Sequence, residues 1–591
     1  MLHKDLMEYP EQIPENDLPI ALDTETLGVT RKSNLLCYYS WAAPDFGSGA
    51  APVTEQGFRF LRALCASERP KVFHNAKFDF GVLERVGLSV KGPIHDTILQ
   101  HSLIDPYHLE AHRLKALSRE LLSRPRLDAY AFERARTQFG PLTLVPQELV
   151  HPYSVADAED TLTLFGMFSK ILNESGLWSL YLEEVETELA YRDIEARGIL
   201  VNLQYLDESL ASIVQTVDLL RARMFEAWKG EFNPNSHQQV AQLLLRGGLA
   251  LKEKTEKGHF KTGHEILVRF VYDPRVKLLL AYTFLNKAAT ILSGYKERLD
   301  SSNRLHPDFR QSTATGRSAC SDPNLQNIPH QRGRISEVEV GDAELARKCA
   351  EAYRAVRRVF VAPLGAQLLS ADYSQIEYKF FAHYSGSERL ISQLKQGVDF
   401  HRMVCELVFG QYDERLRHII KILNYGLLYG MGRALLAARL LDAFGTVIGG
   451  PTVSGTLTRY AQAVPEMRRT QKEIERVGHL RGYVIDVFGR RYPYKREYGY
   501  ILVSYLCQGS AANVKKRALT RVNKYLKEEQ TRSGVSLDIH DELVFEWYPE
   551  DEKHLKQVSH LMTDFPQIDI PLTIDIARGD NFMDMEEAKH E

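Results

Sequence analysis

The sequence RLRHIIKILNYGLLYGMG, residues 415–432, contains four side chains that repeat at every fourth position: Arg417, Lys421, Tyr425 and Tyr429. Each helical residue turns by about 100°, so these side chains drift slowly and share one stripe of a helix. Two cations followed by two aromatic rings suit a nucleoside triphosphate, with charges for the phosphates and rings for the base and sugar. The alternative is an exposed amphipathic face. Like charges four residues apart repel weakly, which disfavours that alternative.

Acidic residues lie on both sides of this stretch. Asp372 follows the apolar residues 368–371, and Asp541 and Glu542 lie between two apolar runs that predict a hairpin with these acids at its tip. Carboxylates beside a buried sheet are costly unless they are neutralised, and Mg²⁺ or Mn²⁺ would neutralise them. Two such ions about 4 Å apart would clamp the attacking and leaving oxygens of an in-line phosphoryl transfer. Acid pairs at turns are common, so Asp541 and Glu542 alone indicate little. They become informative because the cation–aromatic helix lies between them and Asp372 in the sequence.

Four ordered segments resemble family A DNA polymerases, those similar to the large fragment of bacterial DNA polymerase I. They are TATGRSACSDPNLQNIP (313–329), LLSADYSQIE (368–377), RHIIKILNYGLLYG (417–430) and HDELVFE (540–546). The resemblance implies a right-hand polymerase domain over 177–591, with an antiparallel palm sheet and helical fingers and thumb. The implied boundaries are a thumb at about 203–295, a palm at about 296–384 and 492–591, and fingers at about 385–491.

The resemblance also implies roles for single residues. Asp372 and Asp541 would bind two Mg²⁺ or Mn²⁺ ions, with Glu542 beside them. Groups expected to hold the incoming dNTP are Arg417, Lys421 (also a proton donor to pyrophosphate), His401, Tyr425, Tyr429, Gln375 and Glu377. Of these, Glu377 would exclude a 2′-hydroxyl, and Tyr425 would allow dideoxynucleotides. Groups expected to contact primer–template DNA are Arg317, Asn324, Gln508 and His540.

The sequence departs from the family pattern at two places. Tyr500 and Ser504 stand where relatives usually carry Arg and Asn, and those residues help to sense the primer–template. A charged excess at about 333–352 is predicted to be a surface insertion.

A second group of acids lies in the first half of the chain. Asp23 and Glu25 end an apolar strand on one face, and Asp79 closes the segment HNAKFD. Tyr153 and Asp157 lie one turn apart in a segment that is predicted to open a helix. Four acids and a phenol can bind two divalent ions and orient a water for phosphodiester hydrolysis. Taken singly, each is more often a turn or a helix cap.

In order and context, these five residues resemble the tyrosine-containing branch of the DEDD 3′→5′ exonucleases. This resemblance implies a ribonuclease H-like domain over 1–176 that binds two divalent ions and takes single-stranded DNA 3′ ends. All five positions are intact, so proofreading is expected to be active. The fold class is therefore α/β and α+β multidomain.

Composition excludes few functions. The 591 residues carry a formal net charge of −3, but nucleic acid needs only a local cationic face. No apolar run is long enough to span a bilayer, and six scattered cysteines predict reduced thiols. The chain begins near the exonuclease, so we expect no 5′-nuclease domain and a phage-type replicative role in the cytoplasm. Accessory proteins are not identifiable. The alternatives are a single-subunit RNA polymerase and a DNA-binding protein with an inactive second half.

Overall fold

The computed structural model describes residues 13–28, 35–108, 112–255, 257–329, 337–432, 435–437, 439–440 and 453–587. Within these residues the fold is mixed α/β with two five-stranded sheets and three two-stranded ones. The first large sheet lies in the N-terminal unit and the second lies near the C-terminus. Helices and short two-stranded pairs lie between the last strand of the first sheet, Ile94–Asp96, and the first strand of the second, Gln367–Tyr373.

The N-terminal unit is built on a mixed sheet of order β3-β2-β1-β4-β5, in which β1 runs antiparallel to β2 and parallel to β4. Its strands are β1 (Ile20–Thr26), β2 (Leu36–Ala43), β3 (Gly47–Pro52), β4 (Lys71–Phe73) and β5 (Ile94–Asp96). Its helices are α1 (Glu55–Ala66), α2 (Ala76–Arg85), α3 (Thr97–Ile104), α4 (Leu114–Leu121), α5 (Leu127–Phe139) and α6 (Gln147–Glu174). Ala158 of α6 packs on Ala21, Ala42 and Val72 of the sheet, so α6 lies across the strands that carry the acids.

One prediction for this unit is wrong. Tyr153 does not open a helix, because α6 begins at Gln147 and runs through Pro152. A proline favours the first turn of a helix, so the sequence points to a start at Pro152. Tyr153 and Asp157 still lie one turn apart, now in the helix interior.

A mainly helical unit follows. Its elements are α7 (Trp178–Arg197), β6 (Ile199–Leu200), α8 (Leu203–Ala227), α9 (His237–Arg246), α10 (His264–Leu267), α11 (Pro274–Arg298), β7 (Arg304–Leu305), β8 (Asp308–Arg310), β9 (Ala319–Ser321), α12 (Glu337–Val340) and α13 (Ala343–Arg358). The apolar stripe of α8 is buried at Leu206, Ile213, Val217, Leu220 and Met224. Asp273 caps α11 and Pro274 follows it, a common helix start.

The charged excess at 333–352 is more than a surface insertion. Residues 333–336 lie outside the described part of the chain, but α13 packs against α11. Leu345, Cys349 and Ala352 are buried in the main core, while Glu344, Arg347 and Glu351 of α13 face outward. The prediction missed this because the high charge of the segment hides an apolar stripe at helical spacing.

The second large sheet is antiparallel and has the order β13-β14-β10-β15-β16. Its region contains β10 (Gln367–Tyr373), α14 (Ile376–Ser385), α15 (Glu388–Lys395), α16 (Phe400–Phe409), α17 (Glu414–Leu428), α18 (Val453–Ala463), α19 (Pro465–Arg481), β11 (Tyr483–Ile485), β12 (Arg491–Pro493), α20 (Leu502–Glu528), β13 (Gly534–Ile539), β14 (Glu542–Trp547), α21 (Leu555–Thr563), β15 (Ile574–Gly579) and β16 (Glu586–Glu587). Short 3₁₀ turns occur at Leu142–Leu144, Val268–Phe270, Leu325–Asn327, Arg496–Ile501 and Pro549–His554. The predicted sheet with a helical excursion between its strands is confirmed.

The tip of the β13–β14 hairpin is one residue away from its predicted place. Ile539 pairs with Glu542, so the turn is His540–Asp541 and Glu542 is already in β14. His540 has φ of 52°, as the tight turns of two-residue hairpins require. The prediction placed both acids at the tip, because sequence alone does not fix the register of the pairing.

Buried charges join the N-terminal unit to the rest of the chain. Lys77 of α2 has a side chain that is 7% exposed, and its Nζ lies 2.6 Å from Glu195 of α7 and 3.1 Å from Asp308 of β8. The same ammonium donates to the carbonyl of Phe309, and Glu188 lies 3.8 Å away. Although burial lowers it, Glu195, Glu188 and Asp308 raise the pKa of Lys77, so the lysine stays charged.

Candidate active sites

The first candidate site is a cluster of three carboxylates in the N-terminal unit. Asp23 and Glu25 come from one face of β1 and Asp157 comes from α6, and one oxygen of each lies within 4.8 Å of the others. Across the described parts of the chain, this is the only group of three His, Cys, Asp or Glu side chains with that spacing. An all-oxygen set of this kind fits a hard divalent cation.

The electrostatics of the cluster favour a cation. Burial, together with the charges of Glu25 and Asp157, raises the pKa of Asp23 well above its usual range. Burial and Asp157 raise the pKa of Glu25 to about 7, while Ser154 donates a 3.1 Å hydrogen bond to it. Acids packed this closely repel one another when ionised, and a bound divalent ion would relieve that repulsion.

Asp79, the fourth predicted acid, lies beside the cluster but does not form part of it. Its Oδ1 accepts hydrogen bonds from the Thr24 backbone N–H at 3.0 Å and from the Thr24 hydroxyl at 2.6 Å. Asn75, in the left-handed region with φ of 86°, turns the chain into α2. Burial and Asp23 raise the pKa of Asp79 well above its usual range. Its role as an ion ligand stays a prediction.

Tyr153 lies next to the cluster on α6, with its ring stacked on Phe132 at a centroid distance of 4.1 Å. Two cations that the sequence analysis missed contact Asp157. Arg126 Nη1 lies 2.6 Å from Asp157 Oδ1, and Lys115 Nζ pairs with Oδ2. Neither cation belongs to a recognisable motif, since they come from α4 and from the turn before α5.

The second candidate site lies on the second large sheet. Asp372 of β10 is opposite Glu542 in one neighbouring strand and opposite Asp575 in the other. The Tyr373 backbone N–H donates to the Asp541 carbonyl at 3.1 Å, which ties the hairpin turn to β10. The structure therefore brings the predicted acids together at the same end of neighbouring strands. They do not have the close three-oxygen spacing of the first site.

Asp575 is an acid that the sequence analysis missed. It accepts a 2.5 Å hydrogen bond from the Ser374 hydroxyl. Removal from bulk water and the charges of Glu542, Asp541 and Asp575 raise the pKa of Asp372 to about 7. Asp372 is nevertheless open to solvent, so ions can reach it. The alternating pattern of the strand 574–579 was the available signal.

The first three residues of the predicted cation–aromatic stripe lie on α17, which Asp413 caps, and Tyr429 is the C-cap residue at its end. Arg417 donates to Asp399 at 2.8 Å, and Gln375 donates to the same oxygen at 3.1 Å. Lys421 is half-buried one turn after Arg417. Asp399 thus holds Arg417 beside Gln375, a link that no motif indicated.

Glu377 is the centre of the aromatic end of the stripe. It is 5% exposed, and it accepts a 2.6 Å hydrogen bond from the Tyr429 hydroxyl and pairs with Arg317. Burial raises the pKa of Glu377, against the opposing effect of Arg317. The ring of Tyr425 lies 5.7 Å from that of Tyr429, and both are partly exposed. Three predicted groups, Glu377, Tyr429 and Arg317, therefore form one contact network.

His401 of α16 is buried against α17. It is 2% exposed and shares a 2.9 Å hydrogen bond with Asn424, whose carbonyl oxygen accepts from Tyr460. Burial lowers the pKa of His401 to about 4, so the ring is neutral. In this structure His401 braces α17 from behind, and its contact with a triphosphate stays a prediction.

The predicted DNA contacts are spread around the second site. Asn324 is exposed and caps a 3₁₀ turn, and Gln508 donates to Ser504 at 2.9 Å. Buried Lys515, which the sequence analysis missed, donates to the His540 carbonyl and supports the hairpin turn. Tyr500 is half-exposed, and its ring leaves no room for a Cβ at Gly430, directly after Tyr429.

Comparisons with known proteins agree with this arrangement. The chain is 30% identical to DNA polymerase I of Chloroflexus aurantiacus over 96% of its own length and 60% of that protein. It is 28% identical to DNA polymerase I of Pseudomonas aeruginosa over 95% of its length and 63% of that protein. The chain thus spans somewhat under two thirds of these relatives.

A solved structure has the same fold. It is the POL domain of Pol1 from M. smegmatis in complex with DNA primer-template and dNTP, with a TM-score of 0.79, 24% identity and coverage of 96% of each chain. Residues 2–173 match a 3′-5′ exonuclease family, and residues 203–584 match DNA polymerase family A. The chain therefore belongs to DNA polymerase family A and carries a 3′-5′ exonuclease domain ahead of its polymerase domain.

Proposed function

We propose that this protein is a template-directed DNA polymerase that extends a primer 3′ end with dNTPs and proofreads it with a 3′→5′ exonuclease. One observation carries the proposal. This chain has two separate groups of acids: Asp23, Glu25 and Asp157 lie beside a tyrosine, and Asp372, Glu542 and Asp575 lie on paired strands in the same part of the chain as the cation–aromatic helix. The proposed substrates are primer–template DNA, dNTPs and single-stranded 3′ ends.

Divalent ions bound at the two clusters would supply positive charge that stabilises the charge developing on a phosphate. At the second site Asp372 and Asp541 would hold them, with Glu542 and Asp575 adjacent. Arg417 and Lys421 would neutralise the triphosphate from α17, and Lys421 could give a proton to the leaving pyrophosphate. Fixed donors of this kind cost no reorganisation at the moment of reaction.

The network around Glu377 supports a preference for deoxyribonucleotides. Arg317 and Tyr429 hold the buried carboxylate in one place. A sugar 2′-hydroxyl that reached this carboxylate would disturb both contacts. We therefore propose that Glu377 excludes ribonucleotides and that Tyr425 and Tyr429 border the nucleotide.

At the first site Asp23, Glu25, Asp157 and, as predicted, Asp79 would hold two divalent ions. Tyr153 lies one turn from Asp157 on α6, with its ring fixed by Phe132. Its hydroxyl would orient the water that attacks the terminal phosphodiester.

Separate variants test the two activities. We expect Asp541→Ala to lose primer extension by at least about a thousandfold while it still degrades single-stranded DNA from the 3′ end. We expect Asp23→Ala to show the reverse. Asp218→Ala, at an exposed acid on α8, is the matched control. Full extension by folded Asp541→Ala would refute the polymerase proposal, and full degradation by Asp23→Ala would refute the exonuclease. Preferential incorporation of dNTPs over rNTPs in the same assay would exclude a single-subunit RNA polymerase.

The biological role is a narrower proposal. The sequence predicts replication of a phage genome and a cytoplasmic location, whereas the relatives named above are bacterial. Primer extension with and without host extract would show whether accessory proteins act on this enzyme. No helix among the described residues is long and apolar enough to cross a membrane.

A further inference from the structure

Two cations contact Asp157 of the first site, and they differ in how firmly they are held. Arg126 has a side chain that is 4% exposed, and it also pairs with Asp128 at 2.6 Å and with Asp160 at 3.1 Å. Lys115 has a side chain that is 37% exposed and pairs with Asp157 Oδ2. Its Nζ also lies 4.6 Å from the centre of the Tyr153 ring.

Arg126 is a fixed part of the site because three carboxylates hold its guanidinium in place. A planar guanidinium that makes several ion pairs is well suited to a buried position. Lys115 is different, since its four-carbon stem is flexible and its outer side meets solvent. Lys115 is therefore the cation that can leave Asp157.

A divalent ion and Lys115 would compete for Asp157. The oxygens of Asp23, Glu25 and Asp157 lie within 4.8 Å of one another, so an ion between them would bind an Asp157 oxygen directly. The Lys115 ammonium donates to Asp157 Oδ2, while Arg126 holds Oδ1 of the same carboxylate. In a partly buried site, an ammonium roughly 4–5 Å from a divalent ion repels that ion. The repulsion weakens ion binding by more than about tenfold.

We propose that Lys115 is a positioning residue that holds Asp157 when no ion is bound and competes with a divalent ion for it. Lys115 thereby sets the ion concentration that the exonuclease site requires. This inference rests on the proposed exonuclease function. The opposite expectation follows if Lys115 is only structural, because its loss would then misplace Asp157 and weaken ion binding.

The direct test is a Mn²⁺ titration of the full chain, with free Mn²⁺ measured by electron paramagnetic resonance. Sites that disappear in Asp23→Ala are assigned to the exonuclease cluster. We expect Lys115→Met to bind Mn²⁺ at these sites about tenfold more tightly than the wild type. Lys115→Arg keeps the charge and should stay within threefold. Lys91→Met removes an exposed lysine on the same unit and should change nothing.

The outcomes separate this inference from the proposal beneath it. Tightening by threefold or more in Lys115→Met supports the competition, and a smaller change or a weakening overturns it. If the wild type has no Asp23-dependent Mn²⁺ site, the proposed exonuclease function is refuted as well. Unchanged primer extension by Lys115→Met shows that the variant is folded, because that activity belongs to the other site.

Discussion

Lys77→Met is the most informative perturbation of the contact between the N-terminal unit and the rest of the chain. It removes the buried cation that faces Glu195, Glu188 and Asp308 but keeps a side chain of similar length. Breaking a buried ion pair from one side costs about 3–5 kcal/mol, because the remaining charge is left buried and unpaired. A protein of several domains does not unfold in one step, so the loss belongs to the opening of this contact.

Hydrogen exchange followed by mass spectrometry measures that opening. A cost of about 3 kcal/mol corresponds to exchange that is roughly a hundredfold faster in amides of α2 and α7 that exchange through the contact. Lys91→Met, which removes a lysine from an exposed pair with Glu68, should leave exchange within about threefold of the wild type. Lys77→Met with Glu195→Gln should recover part of the loss, since the unpaired charge is gone.

The stability that Lys77→Met removes from this contact should also depend on pH. Burial already raises the pKa of Glu195 from 4.5 to about 7 even though Lys77 opposes the shift, and removal of Lys77 raises it further. Above pH 4.5 the folded form of the variant holds a proton that the unfolded form has released, so its stability falls as pH rises. The difference from the wild type should therefore be larger at pH 8 than at pH 5.5. An equal difference at both values, or no recovery in the double variant, would refute the reasoning.

Three further outcomes are expected near α17. Tyr425→Phe should reduce dideoxynucleotide use relative to dNTPs by about tenfold or more in single-nucleotide primer extension, because the sugar loses a polar neighbour; unaltered use would count against the assignment. Glu377→Ala should raise ribonucleotide incorporation relative to dNTPs by at least about tenfold in the same assay, with Glu550→Ala as an exposed control, and unchanged discrimination would remove the proposed role. Gly430→Ala should lower the thermal midpoint, because φ is 71° and a Cβ would lie 2.5 Å from the Tyr500 ring; Tyr500→Ala in the same chain should restore part of that loss.

The sequence predicted the parts of each site that local spacing encodes. The stripe on α17 and the pair Asp23–Glu25 depend only on the helical and strand periods: Arg417, Lys421 and Tyr425 lie on α17 with Tyr429 at its C-cap, and both acids lie on β1. The position of Asp372 at the end of β10 followed from the apolar residues before it.

Side chains that reach a site from a distant segment were not predictable in this way. Lys115, Arg126, Asp399 and Asp575 each have one or two partners far away in sequence, and no local pattern marks such pairs. The turn at His540 required strand register, which depends on pairing energies across the whole sheet.

The packing of Leu177 and the start of α7 has a practical consequence for choosing where a recombinant fragment should end. Leu177, Leu180 and Tyr181 pack with Leu99 and Leu172 of the N-terminal unit, so they complete its apolar interior. The Tyr181 hydroxyl also accepts from the Asp96 backbone N–H at 3.0 Å. A recombinant fragment cut after residue 176 would present that surface to water and tend to aggregate. Extending the fragment through Val185 retains these residues and gives a better starting point for expressing the N-terminal unit alone.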